Sequence, residues 1–178
     1  SGSDGNDGLF PDSPVKTFQR AAAVLAGNPT LDTIFITGTL SPSGSETWTL
    51  PADKQLVRAS GFRSELVSVG SGAELTLQDI TIDGAGGSVQ AEGPLVRVSG
   101  GGNLIVNSGA VLQNNRNVSR PGGGVCIDAG GAAVLNGGTI AYNEARLGGG
   151  GIYVNGSLTI PGDALFTDNK ALYGSAIS

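Results

Sequence analysis

A set of three short, alternating apolar runs recurs along this chain and limits what it can fold into. Val67-Ser68-Val69, Val96-Arg97-Val98, Val125-Cys126-Ile127 and Ile152-Tyr153-Val154 follow one another at spacings of 29, 29 and 27 residues. Each leads through a turn rich in Gly, Ser or Ala into a second run: Leu75-Thr76-Leu77, Leu104-Ile105-Val106, Val134-Leu135 and Leu158-Thr159-Ile160. A third run follows another turn: Ile80-Thr81-Ile82, Val111-Leu112, Ile140-Ala141 and Leu165-Phe166. Alternation with period two turns one set of side chains inward and the other outward. Three strands per repeat make one coil of a solenoid, in which equivalent residues stack about 4.8 Å apart. The expected fold is therefore all-β, a three-sided parallel β-helix of about four to five coils. Leucine-rich and helical repeats need consensus patterns that this glycine-rich sequence does not contain.

The first 30 residues differ in character and are expected to form a capping segment, with the coils occupying 31–178. Ser13 followed by Pro14 reads as an N-cap and first helical position, with Val15, Phe18, Ala22 and Leu25 on one apolar face. Asn28-Pro29 ends that helix. One amphipathic helix ahead of a solenoid would cover the open end of its core. At the other end, Gly174-Ser175-Ala176-Ile177 repeats the phase of Gly149-Gly150-Gly151-Ile152, and no cap follows. The C-terminal edge is therefore expected to be covered by further coils of a longer protein or by a partner. Ser1-Gly2-Ser3 has the look of an expression remnant, so the lack of a visible signal peptide carries little weight.

Composition removes several function classes. There is no histidine and one cysteine among 178 residues, which excludes Ser-His-Asp and Cys-His machinery and His-ligated or multi-cysteine zinc sites. The net charge of −5, with ten basic residues, argues against a nucleic-acid partner. No apolar run approaches the ~20 residues of a spanning helix, so no membrane insertion by this segment is expected.

Two motifs recur in the last coils. One is Gly122-Gly123-Gly124-Val125, then Gly149-Gly150-Gly151-Ile152, then a degenerate Gly174-Ser175-Ala176-Ile177. The other leads from an apolar residue to asparagine: Val111 to Asn114, Ile140 to Asn143, and Phe166-Thr167-Asp168-Asn169. Here the chain resembles the GGAI/GGAV and FxxN repeats of the polymorphic outer-membrane proteins and, more broadly, the pectate-lyase-like right-handed β-helix superfamily. The repeats carry that resemblance over roughly residues 110–178. Asp4-Gly5-Asn6-Asp7-Gly8 and Pro14-Val15-Lys16-Thr17-Phe18 add a looser likeness to the starts of bacterial surface proteins of that superfamily. What the resemblance implies is right-handed coils, an extracellular place on or released from a bacterial surface, and adhesion as the commonest role.

The residues themselves explain the motifs structurally. Glycines allow close approach of neighbouring coils, and Asn114, Asn143 and Asn169 are expected to form a side-chain ladder, capped by Asp83 one coil earlier. Arg116, Arg120, Arg146 and Lys170 are the only basic residues after position 115, and all follow the ladder turn. They are read either as a ridge able to hold acidic groups of a glycan or as a solvated edge. Trp48, Tyr142, Tyr153 and Tyr173 are candidate aromatic contacts for a sugar or a partner, and Tyr153 is the best placed, since it alternates outward between Ile152 and Val154.

No catalytic set is expected, because no outward Asp stacks on another Asp and Arg97 is the one basic residue within such a strand. No metal or cofactor is expected either. Calcium at Asp4, Asn6 and Asp7 is the alternative to a plain turn there. The functional expectation is a non-catalytic extracellular binding or adhesion domain that presents a rigid solenoid face to a host or environmental glycan or surface protein. A polysaccharide lyase or hydrolase fragment and a structural spacer are the alternatives.

Overall fold

The computed structural model describes residues 2–178, so Ser1 lies outside it. Among the described residues every strand pairing is parallel, and each strand within a sheet hydrogen-bonds to its equivalents one coil before and after, the end strands to one of them. The result is a β-solenoid of about five turns with three main faces. Face A holds six strands, Thr33–Ile36, Gln55–Arg58, Thr81–Asp83, Val111–Gln113, Thr139–Ala141 and Leu165–Thr167. Face B holds Val67–Val69, Val96–Val98, Val125–Ile127 and Ile152–Val154. Face C holds Ser45–Trp48, Glu74–Leu77, Asn103–Val106, Ala132–Leu135 and Ser157–Thr159. In the last three coils the path from face A to face B also passes through a short corner sheet of Arg116–Asn117, Glu144–Gly148 and Lys170–Tyr173.

The register follows from the alternation. On face B, Val67, Val96, Val125 and Ile152 stack inward as one ladder, and Ser68, Arg97, Cys126 and Tyr153 stack outward as another. Leu75, Leu104, Ala133 and Leu158 do the same inside face C, and Leu56, Ile82, Leu112, Ile140 and Phe166 inside face A. Most of these side chains are fully buried, so each coil supplies a layer of a continuous aliphatic core.

The helix spans Phe18–Ala26, and Thr17 is its N-cap, its side chain accepting from the Arg20 amide. The expected start at Ser13-Pro14 is thus four residues early. Ser13 is committed elsewhere, because its hydroxyl donates to Asp7 at 2.7 Å within a folded N-terminal loop. Gly27 closes the helix and Asn28 donates back to Val24 at 2.7 Å. Phe18 and Leu25 are buried against the first coil, and the Phe18 ring stacks on Trp48 at 4.5 Å. Glu46 secures that contact by accepting from the Trp48 indole at 2.7 Å, from Gln19 of the helix and from the Ser43 amide. Burial raises the Glu46 carboxyl, but these three donors outweigh it and hold it below the ordinary value.

Candidate functional site

The corner between face A and the corner sheet is where backbone and side chains depart most from a plain solenoid. Leu112, Ile140 and Phe166 point inward, and the next residues, Gln113, Ala141 and Thr167, are paired in register across the coils. The residues after those, Asn114, Tyr142 and Asp168, all adopt left-handed backbone, with φ of 56°, 55° and 50°. A left-handed residue breaks the alternation, so the residue following it points inward again. Those inward residues are Asn115, Asn143 and Asn169, all buried.

The asparagine ladder therefore runs Asn115, Asn143, Asn169, and Asn114 is not part of it. The apolar residue three before the ladder is Leu112 in the first coil, fully buried, rather than the half-exposed Val111. In the ladder, Asn143 Oδ1 accepts from the Asn115 amide, and Asn169 Oδ1 accepts from the Asn143 amide, both at 3.1 Å. The side-chain amides reach back one coil, Asn143 to the Leu112 carbonyl at 2.9 Å and Asn169 to the Ile140 carbonyl at 2.7 Å.

Asp83 does not cap this ladder. It sits outside, in register with Gln113, and accepts from Gln113 Nε2 at 2.9 Å and Asn114 Nδ2 at 2.7 Å. The inner ladder ends instead on Arg58, a residue to which sequence reasoning assigned no role. Its side chain is 1% exposed and reaches past Gly84 to donate to Asn115 Oδ1 at 3.1 Å. It also donates to the carbonyls of Gly84, Phe62 and Ser64. Burial pushes the guanidinium down to about 10, which still leaves it charged at neutral pH. Gly84 makes the passage possible, since a Cβ there would lie 2.6 Å from Asn115 Cα. No sequence signal marked Arg58 beyond its alternation in phase with Leu56, which places a charged residue on the inward side.

Outside the ladder lies a groove of about 410 Å³, whose lining includes Asp83, Ser88, Asn114, Arg116, Tyr142 and Glu144. A second hollow of about 240 Å³, lined by Tyr142, Asn143, Glu144, Asp168 and Lys170, continues it toward the later coils. Tyr142 and Glu144 border both. At the entry to face B the corner glycines bring consecutive coils into direct hydrogen bonding: Gly123 donates to Gly149 at 3.0 Å and Gly124 to Gly151 at 2.9 Å. A Cβ on Gly124 would stand 2.7 Å from the Gly151 carbonyl, so no larger residue fits there.

The four basic residues divide among three places. Arg116 and Lys170 line the groove, in register with Glu144 between them, and Arg116 Nε lies 3.6 Å from Glu144 Oε2. That stripe alternates in sign and is not a run of positive charge. Arg146 is exposed in the irregular part of Glu144–Gly148. Arg120 follows the corner sheet, and its charge is felt by Cys126 on face B.

Tyr153 is half-buried on face B, in register with Cys126 and away from the groove. On the other side of Cys126, Arg97 Nε donates to Asp128 at 2.7 Å, and that bond raises the guanidinium above its ordinary value, so Arg97 is held as a cation. Burial pushes the Cys126 thiol up to about 11, well away from the range of a reactive thiolate. In the N-terminal loop Asp4 accepts from the Lys16 and Thr17 amides and from the Thr17 hydroxyl. Asp7 accepts from Leu9 and Ser13, and Asn6 donates to the Pro14 carbonyl. These groups hold the loop onto the start of the helix.

Of the candidate aromatics it is Tyr142, and not Tyr153, that stands in the groove, while Glu144 and Ser88 are groove residues to which the sequence assigned no role. The neighbours of Tyr142 in the stack, Asn114 and Asp168, are residue types that tolerate left-handed backbone, and tyrosine is not. The residue is 54% exposed, so burial returns only about half of what a core position would give against a strain of about 1–2 kcal/mol. A signal was available in the alignment of Asn114, Tyr142 and Asp168 one residue before the ladder. Compared with known proteins, the chain matches no family model, no curated protein and no solved structure.

Proposed function

We propose that this chain is a non-catalytic binding module that works outside the cell, presenting the corner groove of a rigid solenoid to an extended glycan or protein ligand. The observation that carries this reading is Tyr142, a large exposed aromatic held in strained backbone inside a groove, at a position where its stack neighbours are small and polar. Backbone strain at a largely exposed side chain is characteristic of positions kept for recognition. An aromatic face beside convergent polar groups is the usual make-up of a ligand site. The solenoid adds a groove parallel to its axis, so that a long ligand meets similar positions coil after coil and weak contacts accumulate.

The likeness of the Gly-Gly-Gly-Val and Gly-Gly-Gly-Ile corners to the polymorphic outer-membrane-protein repeats supports an adhesive role on, or released from, a bacterial surface. The test is to incubate the purified chain with immobilised polysaccharides and host glycoproteins, measuring retention and released fragments together. Retention without shortened products is the expected result. Product release would make the chain an enzyme, and neither signal would leave a structural spacer.

A further inference from the structure

We infer that the ligand of this groove is an uncharged glycan, its sugar rings stacked on Tyr142 and its hydroxyls bonded to the polar groups alongside. This rests on the reading of the corner as a binding groove and adds the chemical class. Charge decides it first. The two hollows are lined by three carboxylates, Asp83, Glu144 and Asp168, against two cations, Arg116 and Lys170. Arg116 lies 3.6 Å from Glu144, so it would have to give up that contact to neutralise a uronate or sulfate. Among the described residues that leaves Lys170, in register on the other side of Glu144, as the one groove cation outside an ion pair. A polyanion would meet a net negative groove on a chain of net charge −5.

The remaining chemistry favours hydroxyls. Tyr142 offers a flat apolar face, which matches the C–H face of a pyranose and makes no demand on charge. Asn114 has its amide nitrogen committed to Asp83, which leaves its oxygen as an acceptor. Glu144 can accept while paired with Arg116, and Ser88 adds a hydroxyl at the near rim. Donors and acceptors at fixed spacing suit vicinal hydroxyls, which can donate and accept at once. The shape agrees, because the hollows follow one another up the stack and a polymer lying along the axis would occupy both.

The test uses the full chain on immobilised β-glucan, xyloglucan, mannan and galactan beside polygalacturonate and heparin, in low and high salt. The expected result is saturable retention on an uncharged polymer, little changed by salt and weakened by at least about tenfold in Tyr142→Gly. Glycine suits the left-handed backbone, so this variant keeps the groove floor, and its thermal midpoint checks that it folds. Retention confined to heparin or polygalacturonate, lost in high salt and in Arg116→Glu, would overturn the uncharged class and leave the groove as a binding site. Retention on an uncharged polymer that Tyr142→Gly leaves intact would overturn the assignment to this groove. No retention on any of the six polymers would overturn the inference, while retention on host glycoproteins in the same assay would keep the binding module.

Discussion

Asn115, Asn143 and Asn169 lie one residue after Asn114, Tyr142 and Asp168, yet the two rows obey different rules. The inner row is uniform: Asn143 and Asn169 each donate to a carbonyl of the coil before and accept from that coil's backbone amide, and Asn115 donates to the Gly93 and Gly123 carbonyls and accepts from Arg58. Only an amide of that length does both in a space shared with backbone. The outer row has the same left-handed backbone in all three coils and a different side chain in each. Stacking therefore constrains the backbone of both rows but the chemistry of the inner one alone. Freedom to vary on the outside is what the proposed recognition surface requires, and at Tyr142 the side chain departs from local backbone preference.

The comparison can be broken from the inside. Arg58→Met should be the most damaging single change, removing about 3–5 kcal/mol from urea-denaturation stability, because three carbonyls and Asn115 Oδ1 lose a buried donor together. A loss under about 1 kcal/mol would show that water replaces the guanidinium and that the ladder needs no cap. Asn143→Ala should cost about 2–3 kcal/mol, since the Asn115 amide and the Leu112 carbonyl are left unpaired in the core. The outer neighbour should behave in the opposite way: Tyr142→Gly is expected to raise stability by about 1 kcal/mol, read as a higher thermal midpoint, while ligand retention falls. A destabilised Tyr142→Gly would mean that the ring contributes to packing and that the rows are alike.

The smallest effect is expected at the helical cap, which depends on a carboxylate where the inner ladder is built from neutral amides. Glu46 titrates below its ordinary value in the folded chain, so its contribution is complete above the ordinary carboxylate range and is lost as pH falls through the lowered value. Acidification should change the emission of Trp48 before the far-ultraviolet strand signal moves, and Glu46→Gln should remove that early step. Coincident changes in both signals would show that cap and coils respond as one.

The coils were legible in the sequence because stacking imposes period two within strands and near-constant spacing between them; the face B register follows directly from the valine pairs. The ladder was misplaced by one residue where Asn114 and Asn115 adjoin, since composition does not tell which of two neighbours carries the left-handed turn. Ser13-Pro14 mimicked a helix start because its hydroxyl was free to serve the loop instead, and Thr17 lies closer to the helix. The four basic residues looked alike along the chain, and only the register showed Glu144 between Arg116 and Lys170. Arg58 was hidden because its partners lie in other coils, and its only trace was alternation with Leu56.

That reach has a consequence for how the molecule comes apart. In a solenoid whose coils touch only nearest neighbours, disorder entering at one end can stop at any coil boundary, as in a row of coupled switches. The contact between Arg58 and Asn115 joins residues 57 apart and passes over the intervening coil at Gly84. It couples next-nearest neighbours, so melting that reaches Asn115 no longer has an inexpensive boundary at which to halt. The early coils should then be lost as one cooperative block, while the later ones, held only by their own ladder, can fray singly.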